Sequence, residues 1–523
     1  TVVGDLLPRL LPPLTKELTE WTVAQRVCAA RSLHTVLVLA EDAATEHLAV
    51  LLPALCAAVG DEDVEVAGYV VRAVHVLGAH VPARRWLPLA VDQLSNSKLS
   101  SSQRANTLVV LAGLLHTAGL AQQQLTPDLL QVLSSALVSE EVRGAADHGP
   151  TRQQLLAVAA NIMRWAGSQC TAISMQLYTL LLLLLGHEKD AARKAAITAA
   201  MQQLAASCGA ADWEAIAAQH AQPVMASISQ DAAKWTAESS SFLVMRALLL
   251  TAGPATLSQL MPAVYALLKP LVSDHEGDAP LRMSALQLMD ELMEDSRRGA
   301  AVAGEHAAQL LSDVLLPPLQ WRAGKTAAAV RFQAVIALAT LLRNKLVKRK
   351  PLLQLIDDGT LWPLISQELD EDWYVDVRAA ACYVAEQLLL LVGPRLGHEP
   401  RRAIYPELLK RLDDSSNQVR IASCRALVAF CTTMGTDYCE TNAGYLAAGV
   451  VIHMDDSDLG VQEAACSVLE ALAAKKPDAV RAEVLKVQER FRSKHYCDRV
   501  LAACSLTPAA VPAATSPQDM DMD

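Results

Sequence analysis

The sequence predicts an all-α, superhelical stack of about eleven helix pairs, and three features carry that reading. Of the 523 residues, 52% are hydrophobic but only 4% aromatic, and the apolar share is mostly Ala, Leu and Val. That mixture favours helices over the β-branched and aromatic alternation of a sandwich or barrel. Gly (23) and Pro (24) make up about 9% of the chain, below the roughly 12% of an average protein. The third feature is a unit that recurs throughout: an acidic turn, a pair that often ends in Arg, then small residues and an apolar helix.

The carboxy-terminal copies are the clearest: DEDWYVDVRAAACYV at 370–384, DDSSNQVRIASCRAL at 413–427 and DDSDLGVQEAACSVL at 455–469. Taken in order from the start, the pair reads Gln25-Arg26, Val64-Glu65, Gln103-Arg104, Thr151-Arg152, Ala192-Arg193 and Ala233-Lys234. It continues as Leu281-Arg282, Val330-Arg331, Val377-Arg378, Val419-Arg420 and Val461-Gln462. The steps are 39, 39, 48, 41, 41, 48, 49, 47, 42 and 42 residues. Three residues after each pair comes a small or short residue in every copy but the one with Leu155.

A period near 40–47 residues with two helices per unit is the HEAT or armadillo signature. It is too long for 34-residue repeats, and the recurring acidic turn with Val-Arg favours HEAT over armadillo. Each position has a physical role in this reading. Asp372, Asp414 and Asp456 are expected to cap the second helix of their repeats. Arg193, Arg282, Arg331, Arg378 and Arg420 are expected to reach the acidic turn of a neighbouring repeat, forming a ladder. On partly exposed turns, losing one such arginine should cost only about 0–1 kcal/mol. Ala285, Ala334, Ala381 and Ala465 are expected to let adjacent second helices approach to about 8–10 Å. Because no unit buries its own apolar face, residues 1–505 are expected to form one solenoid, an arc on the order of 100 Å long. The longer steps leave room for loops at 139–151 and 296–306. Residues 506–523, rich in Pro, Ala and acid, are expected to be a disordered acidic tail. The chain opens at Thr1 without a signal-peptide pattern, and a missing start leaves room for a fragment.

Chemistry-bearing strings fail on inspection. Gly324-Lys325-Thr326 would need a glycine at Leu319 and a preceding strand to be a phosphate loop. No H-E-x-x-H, G-x-G-x-x-G or G-x-S-x-G occurs. His75 and His80 are the only close histidine pair, and their spacing does not place them on one helical face. Asp413-Asp414 and Asp455-Asp456 sit at repeat turns and read as caps. The eleven cysteines, with no C-x-x-C, read as reduced small hydrophobes without a disulfide framework or zinc site. The leucine run 180–185 is far too short for a membrane span. The basic run 345–350 (KLVKRK) reads first as the closing turn of a helix before Pro351, with a nuclear-import signal or a contact to an anion as the alternative. A net charge of −11 gives no general reason to bind nucleic acid. No catalytic residue, cofactor, metal or small-molecule substrate is expected.

Longer strings add a resemblance. WTVAQRVCAARSLHTVLVLAEDAATEHL (21–48), LQWRAGKTAAAVR (319–331), IYPELLKRLDDSSNQVR (404–420) and KHYC (494–497) closely resemble the HEAT-repeat family of dynein axonemal assembly factors. They combine repeat positions with choices the repeat does not dictate, such as Gln320-Trp321 and Tyr405-Pro406. The likeness runs to about Cys504, looser between about 85 and 230. The family's amino-terminal repeats are expected to be missing here, and the acidic Met-Asp tail departs from its pattern. The resemblance implies a non-catalytic scaffold for cytoplasmic pre-assembly of outer and inner dynein arms, needed for ciliary motility and absent from the mature axoneme. Its implied partners are dynein intermediate and/or heavy chains, chaperones and other assembly factors, with no nucleic acid and no membrane. A nuclear-transport receptor or a phosphatase-type scaffold would share the same acidic solenoid.

Overall fold

The computed structural model describes residues 2–123, 125–371 and 374–505; the expected tail at 506–523 and Asp372 lie outside them. The described residues form helices joined by short turns, with no strand. They fall into two compact units, one ending at Gly253 and one starting at Pro254.

In the first unit the helix pairs run from Val2–Glu17 with Val23–Ala40 to Trp213–Ile228 with Ser240–Thr251. Second helices pack side by side: Val23–Ala40 on Val64–His80, then Ser101–Leu120, then Gly149–Ala166. In the second unit the same row runs through Ala279–Glu294, Lys325–Arg343, Val375–Val392, Asn417–Thr433, Leu459–Ala473 and His495–Ala503. The apolar spacing explains the packing. In Val375–Val392, Val377, Ala381, Val384, Ala385, Leu388 and Val392 recur every three or four residues, and all are buried. The last pair, Pro477–Val487 with His495–Ala503, adds one to the expected eleven. Its turn, residues 488–494, reads QERFRSK, without the paired aspartates of the preceding copies, so the repeat signal was absent there.

First helices carry an inward punctuation of their own. Pro53, Pro88, Pro223, Pro262, Pro270 and Pro406 lie inside them. Each removes an amide and frees the carbonyl four residues earlier, which bends the helix. Before Pro317-Pro318 the first helix breaks altogether into short pieces, with a π-helical turn at Leu310–Leu315. The stretches expected as plain loops at 139–151 and 296–306 contain the short helices Glu140–Gly144 and Gly299–Ala303.

One step departs from the period. Ala233-Lys234 does not open a second helix; it ends the 3-10 turn Ser229–Lys234, where Lys234 is exposed and pairs with Asp231 at 3.6 Å. The helix begins later, at Ser240, and packs along Ser174–His187. Buried Trp235 plugs the turn against Phe242, ring centroids 6.1 Å apart.

Two helical stretches, Gly149–His187 and Lys325–Arg343, are long and apolar enough to cross a membrane, against the expectation from the leucine run alone. Their most apolar windows are 56% and 61% buried inside the fold, so packing accounts for that apolarity. Ala285, Ala334, Ala381 and Ala465 are all buried, at 0, 0, 1 and 0% exposure. Ala381 faces Leu319, Val335, Leu338 and Ile365 around a void of only about 10 Å3. Ala381→Leu should therefore overpack this seam and cost roughly 1–3 kcal/mol. A lowered urea midpoint checks this; an unchanged one would show that the seam has slack.

Candidate functional site

The turns between helices share a device that the sequence pattern only half revealed. In several of them an acid accepts the backbone N–H two residues on, and four such turns lead into second helices of the ladder: Asp61 from Asp63 (2.9 Å), Glu188 from Asp190 (3.0 Å), Asp414 from Ser416 (2.9 Å) and Asp456 from Asp458 (2.9 Å). The helix starts at that second residue. Asp63, Asp190 and Asp458 accept amides of the first turn and are the actual caps. Asp414 and Asp456 are thus not caps, contrary to expectation: they stand two residues too early and make Asx turns.

The same carboxylates meet the arginine of the preceding repeat. Arg26 donates to Asp61 at 2.7 and 3.1 Å, and Arg378 to Asp414 at 2.7 and 3.0 Å. Arg420 donates to Asp456 and also to the Leu412 carbonyl at 2.7 Å. Arg152 approaches Glu188 at 3.7 Å. At Asp414 burial pushes the carboxyl up, but hydrogen bonds from Arg378 and the Ser416 amide outweigh it and hold the pKa below the usual value. At Asp456 the Arg420 hydrogen bond is the largest influence, with the same downward result. A depressed carboxylate stabilises the fold above its unfolded pKa near 3.8, and that contribution is lost as acid titrates the folded group.

Arg331 makes the most buried of these contacts. It donates to Glu368 at 3.3 Å and to Glu371, and its third nitrogen donates to the Arg322 carbonyl at 2.7 Å. Side-chain exposure is 2% for Arg331 and 1% for each glutamate. Burial, only partly countered by Arg331, pushes the Glu368 carboxyl up to about 7.

Two arginines do not extend the ladder. Arg193 is exposed and pairs within its own turn, with Asp190 at 3.7 Å and with Glu188 at 3.4 Å, a carboxylate it shares with Arg152 of the preceding repeat. Arg282 finds no acid, because the next repeat's turn, 320–324, reads QWRAG. Instead it donates to the Val272 carbonyl at 3.3 Å and meets His275 Nδ1 at 3.4 Å.

The turns are more buried than the sequence suggested, which raises the expected cost of breaking them. The Arg378–Asp414 pair is 8% and 3% exposed, the Arg420–Asp456 pair 13% and 16%. Arg378→Ala should cost about 3 kcal/mol by stranding a buried carboxylate. Arg420→Ala should cost less, about 1–2 kcal/mol. Chemical unfolding of the two variants side by side reads the difference; equal losses below 0.5 kcal/mol would return both to the class of exposed pairs.

Where Arg282 lacks its acid, a cleft of about 650 Å3 opens, lined by His275, Arg282, Trp321, Arg322, Lys325 and Thr326 among others. Sequence reasoning missed it because its cations come from two turns 40 residues apart. The signal available was the one turn in this stretch without a carboxylate. The basic run 345–350 does not close a helix as expected. Lys325–Arg343 has already ended, Lys345 turns with φ 54°, and Arg349 opens the next helix. His75 pairs across the stack with His116, ring centroids 6.0 Å apart, while buried His220 bonds Ser174 Oγ at 2.9 Å. Among the described residues no group of three or more His, Cys, Asp or Glu is placed to hold a metal ion.

Comparison with known proteins follows the same lines. The family model for the HEAT-repeat domain of dynein axonemal assembly factor 5 matches residues 1–188, and a model for HEAT repeats of the GCN1-like stalled-ribosome sensor matches 361–493. Dynein axonemal assembly factor 5 of Homo sapiens is 28% identical over 513 residues, covering 96% of this chain. The Mus musculus protein is 26% identical over 520 residues, also covering 96%. The chain spans 58% of the length of each of these relatives. Among solved structures, karyopherin Kap121p aligns with 95% of this chain and 50% of that one, at 15% identity and a TM-score of 0.42.

Proposed function

From its similarity to dynein axonemal assembly factor 5 along nearly its whole length, we propose that this chain is a non-catalytic scaffold for assembling axonemal dynein arms. The observation that carries the reading is that likeness over 96% of the chain, with the matching HEAT model at its start. Stacked helix pairs without a metal-binding cluster among the described residues suit action by binding. In this reading the scaffold holds dynein intermediate or heavy chains in the cytoplasm, together with chaperones and other assembly factors, before arms enter the cilium. It leaves before the axoneme matures.

Affinity capture from ciliated cells, paired with electron microscopy of axonemes after loss of the protein, tests this. Expected are co-purifying dynein subunits, and cilia that form but lack arms and do not beat. Normal arms after loss would overturn the assignment. Guanine-nucleotide-dependent recovery of a small GTPase would point instead to a transport receptor.

A further inference from the structure

We propose that the cleft over Arg282 is a docking site for an acidic peptide segment of a protein partner, bound through its carboxylates. The chain as a whole is acidic, at −11, yet this cleft gathers Arg282, Arg322, Lys325 and the edge of Arg331 around a single lining carboxylate, Glu276. Arg26, Arg378 and Arg420 spend their charge on the next turn's acid, while Arg104, like Arg282, bonds backbone carbonyls instead. Here the next turn has no acid. Arg322 and Lys325 are exposed and have no ion-pair partner among the described residues. Arg282 is 6% exposed, and one of its terminal nitrogens has no hydrogen bond among them.

The backbone adds to the same surface. Gly324 holds φ 110°, a conformation that favours glycine, and as N-cap of Lys325–Arg343 it offers no side-chain acceptor. No acid occupies that helix's first turn, and Lys325, Thr326 and Ala327 of this turn line the cleft. Unsatisfied amides and the helix dipole both favour an anion there. Burial lowers the Arg282 pKa, nearby Asp274 raises it, and repulsion from Arg322 lowers it further, so the net direction is down and an added carboxylate would act against it. The cleft is too large for one small anion, at about 650 Å3, and its rim carries Trp321, 56% exposed, as an apolar platform for a chain. Arginine forks recognise carboxylates in pairs, so an Asp/Glu-rich segment fits all of these features. The proposal holds whichever protein supplies the segment, so its failure leaves the dynein reading untouched.

The test is fluorescence anisotropy of a labelled poly-glutamate peptide with the full chain, with poly-lysine as the charge control. Saturable binding is expected, and Arg322→Glu/Lys325→Glu together should weaken it about tenfold or more, equivalent to about 1.4 kcal/mol. Those two side chains are exposed, so the urea midpoint should stay in place. An equal charge reversal in the basic run, Lys345→Glu/Lys348→Glu, should leave affinity unchanged. Absent saturation, equal loss from both double variants, or complete displacement by inorganic phosphate at the peptide's own concentration would each overturn the proposal.

Discussion

Replacing Arg331 by methionine is expected to cost about 3–5 kcal/mol, because it strands two buried glutamates at 1% exposure in the second unit. The loss should depend on pH. Glu368 titrates near 7 in the fold against 4.5 for an ordinary glutamate. A raised carboxyl contributes stability that is complete below the unfolded value and is lost as pH rises through the folded one. The native chain should therefore weaken between about pH 5 and pH 8 at this site, and Arg331→Met should be milder at the acid end, where Glu368 is protonated. Glu368→Gln in the native background should flatten that slope. Adding Glu368→Gln and Glu371→Gln to Arg331→Met should recover most of the lost stability, since a neutral cluster needs no counter-charge. Urea midpoints at the two pH values check all of this; a pH-independent loss in Arg331→Met would mean that Glu368 stays ionised throughout.

Gly186→Val should be nearly as damaging, at about 3 kcal/mol or more. A Cβ at Gly186 would lie 2.6 Å from the Leu243 carbonyl oxygen and 2.9 Å from its carbon, so backbone, not a flexible side chain, blocks it. This close approach seats Ser240–Thr251 against Ser174–His187. Hydrogen exchange should show faster opening of 240–251 in the variant. Gly68 supplies the control: nothing lies within 4 Å of its Cβ position, so Gly68→Ala in the helix Val64–His80 should gain about 0.5–1 kcal/mol. Equal behaviour of the two substitutions would show that helix propensity, not the seam, governs both.

What the sequence by itself determined was everything repeated and local. The period placed ten of the eleven expected second helices, because each begins where an acidic or polar turn meets a three-to-four spacing of apolar residues. The small residues at 285, 334, 381 and 465 were legible for the same reason: a seam position recurs with the repeat. The likeness to dynein arm assembly factors was legible too, in strings the repeat does not dictate. Only the tertiary structure decided which partner each charged side chain meets. Asp414 and Asp456 turned out to serve the preceding arginine, not their own helix, since capping depends on where the chain bends, to within two residues. In the sixth repeat the second helix starts late and packs on Ser174–His187 across the Gly186–Leu243 seam, a contact 57 residues apart that no local pattern encodes. The cleft over Arg282 arose the same way. A missing acid in one turn means nothing until stacking sets a neighbour's arginine against it, and the charge left over is then a property of the assembled turns alone.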